Sequence, residues 1–126
     1  MEKALRISPE YADAYSNLAV QHMRMRRFAE AVDEVTHAIA IAGPNPLMLS
    51  NLAYAQINLG RVEESVATAR AALRLDTDYP QAHLILGSIL AANVRTRAEG
   101  IHHLELVADR FPSARETLER VRKQPN

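Results

Sequence analysis

One period governs the chain. Displaced by 34 residues, the sequence falls on itself: Ala4 on Ala38 and Ala72, Leu5 on Ile39 and Leu73, Ile7 on Ile41 and Leu75. Tyr15 falls on Leu49 and His83, Leu18 on Leu52 and Leu86, Ala19 on Ala53 and Gly87, Asn17 on Asn51, and Ala31 on Ser65. The third copy slips by one residue around "ANVRTRAEG", after which Gly100, Leu104 and Val107 take the places of Ser65, Ala69 and Ala72. A unit this short cannot bury its apolar face alone, so copies stack and cover one another. Few architectures satisfy that condition.

Each copy holds two apolar runs at helical spacing. Tyr15, Leu18, Ala19, His22 and Met25 form the first, and Phe28, Ala31, Val32, Val35, Ala38 and Ile39 the second. Ala, Leu, Arg and Glu dominate, which favours helix over sheet. The punctuation agrees. Asn45 is placed to cap a helix that starts at Pro46, and Gly60 to end it. Thr96 with Glu99, and Ser113 with Glu116, have capping-box spacing. The expected helices lie near 1–7, 11–25, 28–42, 46–59, 62–75, 79–92, 97–110 and 114–123.

Composition removes several function classes. Lys+Arg and Asp+Glu both total 15, so the net charge is zero, which argues against a nucleic-acid partner. There is no Cys, so disulfides, thiolate metal sites and Cys nucleophiles are excluded. The most apolar region, "AIAIAGPNPLMLSNLAYA", is cut by Gly43, Pro44, Asn45 and Pro46, so no membrane insertion is expected. The start lacks an apolar signal core, so any export signal lies outside this segment, for which the cytoplasm is favoured. His102 and His103 are adjacent and diverge on a helix, and no third metal ligand joins them. No phosphate loop or nucleophile elbow appears. Neither an enzyme nor a cofactor is expected.

The stretches "AYSNLAVQHMRMRRFAEAVDEVTHAIAI", "LSNLAYAQINLGRVEESVATARAALRLD" and "AHLILGSILAANVRTRAEGIHHLELVADRFP" resemble the tetratricopeptide repeat family. The neutral charge and the "NLA" and "AALRLD" signatures favour it over the RNA-binding pentatricopeptide repeats. The resemblance implies an all-α fold, a right-handed α-α superhelix (solenoid) of helix-turn-helix repeats. The expected division is 12–45, 46–79 and 80–114 for three repeats, the last with a one-residue insertion, then a capping helix over 115–126. Ala19, Ala53 and Gly87 are expected to face Ala31, Ser65 and Gly100, with Leu18, Leu52 and Leu86 filling the space between helices. His22, Gln56 and His83 depart from the aromatic residues usual at their places.

"EKALRISPEY" matches "THAIAIAGPN" and "RAALRLDTDY", so 1–9 reads as the end of a truncated preceding repeat. The expectation is a fragment of a longer protein.

In the resembling family the first helix of each repeat lines a concave groove. Helical spacing then selects Asp13, Ser16, Asn17, Val20, Met23 and Arg24; Leu47, Ser50, Asn51, Tyr54, Ile57 and Asn58; and Gln81, Leu84, Ile85, Ser88, Ala91 and Ala92. This mixture of amides, hydroxyls and apolar surface suits an extended peptide or protein segment. Chaperone-binding members hold a C-terminal carboxylate with Lys, Arg and Asn. Here Ser16, Val20, Gln81 and Ile85 stand at those places and only Asn51 matches, so an Hsp70/Hsp90 tail is not expected. The expected role is a protein-binding scaffold. The alternatives are self-association as a homodimer through exposed repeat ends, or a regulatory or targeting domain of a larger enzyme or exported protein.

Overall fold

The computed structural model describes residues 8–124. Seven α-helices run in order: α1 (Pro9–Arg24), α2 (Phe28–Ala42), α3 (Pro46–Asn58), α4 (Val62–Leu75), α5 (Pro80–Ala91), α6 (Arg97–Val107) and α7 (Pro112–Arg122), with a 3-10 turn at Val94–Thr96 before α6. No strand occurs among the described residues. The helix expected near 1–7, with Ala4, Leu5 and Ile7, lies outside them.

Proline starts every first helix. Pro9, Pro46, Pro80 and Pro112 stand at helix N-termini, where the missing N–H costs nothing. Ser8 caps α1 through Glu10 N at 3.3 Å, and Asn45 caps α3 through Met48 N at 2.8 Å, as its sequence position predicts. The two expected capping boxes do not form. α7 starts at Pro112 with Phe111 as its cap residue, so Ser113 is already inside the helix. Thr96 Oγ1 instead donates to the Leu90 carbonyl at 2.7 Å.

That last bond shows how the array absorbs its inserted residue. α3 ends in a left-handed cap: Gly60 has φ 80°, Arg61 N–H donates to Gln56 O at 2.9 Å, and Gly60 N–H to Ile57 O at 3.0 Å. α1 ends the same way on Arg26, with φ 61°, where Arg27 N–H donates to His22 O at 2.8 Å. The third equivalent carbonyl belongs to Leu90. It still accepts from Asn93 N–H at 3.3 Å, but the N–H five residues on, that of Arg95, turns to Asn93 Oδ1, and the Thr96 hydroxyl takes its place.

The packing follows the sequence period. α1 packs on α2, α3 on α4 and α5 on α6, while α2–α3 and α4–α5 contacts join the pairs. α1 also approaches α3, α3 approaches α5 and α5 approaches α7, whereas among the described residues the backbones of α2 and α4, and of α4 and α6, stay apart. First helices sit close and second helices splay, so the stack curves with α1, α3, α5 and α7 on its inner side.

Small residues permit the close pairs. Ala19, Ala31, Ala38, Ala53 and Ala72 are wholly buried. A Cβ on Gly100 would stand 2.3 Å from Ala91 N, and one on Gly87 3.0 Å from Gly100 O. Leu86 is wholly buried and Leu52 packs on the α1–α2 core, but Leu18 is 40% exposed, against expectation. Leu52 and Leu86 each have a preceding second helix beside them; α1 is the first described helix, and none precedes it among the described residues. At the far end Leu118 and Val121 of α7 close over Leu104, Val107 and Ala91. Arg122 pairs with Glu105, and Arg115 Nη1 donates to Ala108 O at 2.7 Å. The expected division at 114/115 falls inside α7.

Candidate functional site

The inner side carries three hollows that meet at one residue. The first, about 240 Å³, is lined by Val20, Met23 and Arg24 of α1 with Asn51 and Tyr54 of α3. The second, about 190 Å³, lies between Ser50, Asn51 and Tyr54 of α3 and Gln81, Leu84 and Ile85 of α5. The third, about 230 Å³, runs from Tyr54 and Ile57 past Leu84, Ile85, Ser88 and Ile89 to Ser113 of α7. Tyr54 belongs to all three.

Tyr54 occupies the middle because helical spacing puts it one turn beyond Ser50 and Asn51 on α3. Its ring meets Phe28 edge-on, centroids 5.9 Å apart, which fixes the inner edge and leaves the residue 45% exposed. Asn58 Nδ2 donates to the Tyr54 carbonyl at 2.8 Å, closing its own helix. The Ser50 residue is 3% exposed, and its hydroxyl, like that of Ser16, has no hydrogen-bond partner among the described residues. Arg24, at the α1 end, makes no ion pair among them. The line of hollows thus runs from a cation, past amides, to an apolar end.

Of the residues chosen by helical spacing, Val20, Arg24, Ser50, Asn51, Tyr54, Gln81, Leu84 and Ser88 line these hollows. Asp13, Ser16, Asn17, Leu47 and Asn58 do not. Asp13, Asn17 and Leu47 are exposed, and Asn58 is spent on its own helix. Sequence reasoning missed Ile89 and, on α7, Ser113. The signal for Ser113 was present, since α7 begins with the same proline as the other first helices, but α7 was read only as a cover.

A fourth hollow, about 340 Å³, lies away from these three, lined by Arg70, Leu73 and Arg74 of α4, Thr77, Leu86 of α5, and Glu99 and His103 of α6. Arg70 Nη1 donates to Glu99 Oε2 at 2.7 Å and Nη2 to Oε1 at 3.3 Å. The Arg70 guanidinium holds the Glu99 carboxyl below the usual carboxylate range, and Glu99 in turn raises Arg70. No group of three potential metal ligands occurs among the described residues.

The family model described as Tetratricopeptide repeat matches residues 50–100, which span α3, α4 and α5. No curated protein matches the chain in sequence. Among solved structures the chain is similar to the Sgt2 TPR domain from Aspergillus fumigatus, with 24% identity over 98% of this chain and 83% of that one, at a TM-score of 0.79. It is similar to the first TPR of Spaghetti (RPAP3) bound to HSP90 peptide SRMEEVD, with 19% identity over 94% and 95% of the two chains and a TM-score of 0.79. It is also similar to the second TPR domain of human RPAP3 in complex with HSP70 peptide SGPTIEEVD, with 21% identity over 93% and 100%, again at 0.79. The last two overturn the exclusion of an Hsp70/Hsp90 tail, because this fold holds such peptides in both. The exclusion counted cations at four positions only. It left out Arg24, which lies beside Asn51 in the first hollow.

Proposed function

We propose, from the premise that the chain is a tetratricopeptide-repeat protein, that it works by holding an extended segment of another protein along α1, α3 and α5. The observation that carries this reading is the continuity of the three hollows through Tyr54. A peptide laid across them meets amides at Asn51 and Gln81, suited to its backbone. Apolar side chains enter beside Leu84, Ile85 and Ile89, and an acidic group meets Arg24. We take the working units to be 12–45, 46–79 and 80–114, with 115–126 as the cover, each unit presenting its first helix to the peptide. Asp13, Ser16, Asn17, Leu47 and Asn58 then belong to the rim.

The test is fluorescence anisotropy with labelled peptides. The first probes are SRMEEVD and SGPTIEEVD, followed by a random extended library. Binding is expected to disappear in Asn51→Ala/Tyr54→Ala while the helical circular dichroism is unchanged. Arg24→Glu is expected to weaken acidic peptides by about tenfold or more and to leave neutral ones alone. Capture that survives the double substitution moves the site off this face. No capture of any probe or library member sinks the reading.

A further inference from the structure

His83 of α5 and His103 of α6 meet edge to edge, with ring centroids 5.0 Å apart and planes tilted by 33°. Three contacts join their four ring nitrogens to the fold. His83 Nε2 meets the Thr77 carbonyl at 2.8 Å, the two Nδ1 atoms meet at 2.8 Å, and His103 Nε2 meets Glu99 Oε2 at 3.3 Å. Proton counting constrains them. A carbonyl and a carboxylate only accept, so the outer contacts each require an N–H on the ring. The inner contact requires a proton on one Nδ1 and none on the other. Satisfying all three takes three protons, leaving the two rings sharing one positive charge.

We propose that this pair is a proton-counting clasp between α5 and α6, complete with three protons and opened by a fourth. Loss of one proton breaks one contact. The one that yields is the longest, to Glu99, which is already held by Arg70. The neutral clasp therefore has His83 protonated on Nε2 and His103 on Nδ1. Gain of a fourth proton puts N–H against N–H across the inner contact and two cations in a site where His83 is only 7% exposed. No hydrogen bond survives there.

The charged groups facing the pair are Arg70 and Arg74 from α4, and Glu99 and His102 from α6. Glu99 favours the shared charge; both arginines and His102 oppose a second. Burial, helped by His83 and His102 and opposed by Glu99, holds His103 below the ordinary histidine value. The folded chain then takes the fourth proton, the one that breaks the inner contact, less readily than the unfolded one, so the stability that this contact gives drains as the pH falls below about 6.5. Leu84 and Ile85, beside His83 on α5, line the inner hollows, so opening the clasp also moves that wall.

Long-range nitrogen–proton NMR on the isotope-labelled chain reads the protons directly. Above neutral pH, His103 is expected as the Nδ1–H tautomer and His83 as Nε2–H. Finding His103 as Nε2–H overturns the proposal. On acidification the signals of both rings are expected to move together as the inner contact opens; His103 signals that move while those of His83 stay in place overturn it as well. Thermal melts from about pH 8 to pH 5 give the second arm. The native chain is expected to lose several degrees, His102→Gln to follow it, and His103→Gln to lose much less. An unchanged slope in a folded His103→Gln rejects the clasp.

Discussion

The Ser65 hydroxyl donates to the Ala53 carbonyl at 2.7 Å, joining α4 to α3 where both residues are wholly buried. The same crossing is made with Ala31 beside Ala19 in the first pair and Gly100 beside Gly87 in the third. The Ala53 carbonyl also lies within helix α3, so Ser65→Ala removes a second bond and strands no partner. The expected cost is about 0.5–1.5 kcal/mol. Gly100→Ala is the harsher change, because its Cβ meets Ala91 backbone atoms at 2.3 and 2.7 Å. Backbone cannot swing aside as a side chain does. The α5–α6 pair must part, at about 1–3 kcal/mol, more than the helix propensity of alanine returns. Urea denaturation of both variants, side by side, gives the ranking.

Arg26 and Gly60 hold the same left-handed cap position, yet only one of them is glycine. An L-residue there costs roughly 1–2 kcal/mol. Arg26 offsets part of this by lying over the Phe28 ring, 5.4 Å from its centroid, worth about 0.5–1 kcal/mol at an exposed site. Arg26→Gly is therefore expected to raise stability by roughly 0.5–1 kcal/mol. Gly60→Ala has no compensating contact and is expected to lose about 1 kcal/mol. A melting temperature that falls in Arg26→Gly rejects the strain argument.

Leu18 and Leu86 are equivalent in sequence and unequal in burial, at 40% and 0% exposed. Leu86→Ala leaves a hole among Ala53, Ala69 and Leu90 and is expected to cost about 2–5 kcal/mol. Leu18→Ala is expected to cost no more than about 1 kcal/mol, since much of its surface is already wet. Equal losses by calorimetry would mean that Leu18 is covered in solution.

These pairs show where sequence reading works. The period placed every described helix because each apolar stripe repeats with its neighbour's, and Asn45 and Gly60 carry local signals strong enough to set their own ends. Residues whose state depends on a neighbouring helix were less legible. Leu18 has the pattern of a core residue, and only the stack decides whether something covers it. Thr96 looked like a cap for α6, but its hydroxyl joins the Asn93 N–H on the Leu90 carbonyl, where the two earlier repeats use a later backbone N–H. Most of the residues lining the hollows followed from helical spacing. The meeting of the hollows at Tyr54 did not, because it depends on how far α1, α3 and α5 are rotated on one another. His103, set aside in the sequence as a metal ligand, meets His83 across twenty residues of sequence.

Glu99 makes the last prediction a matter of sign. Its carboxyl lies below the usual range because Arg70 donates to it twice, with a smaller contribution from His103. A carboxyl lowered in the folded state stabilises above its unfolded value, near 4.3, and loses that contribution as the pH falls through its folded value. Both partners of the pair are 42% exposed, so solvent screens it and the effect is expected to stay under about 1 kcal/mol. Glu99→Gln should therefore be mildly less stable than the native chain at about pH 7 and indistinguishable from it near pH 3. Raising the salt concentration at neutral pH should narrow the gap, as it does for any exposed ion pair. A gap that persists unchanged at low pH would assign the role of Glu99 to packing rather than charge.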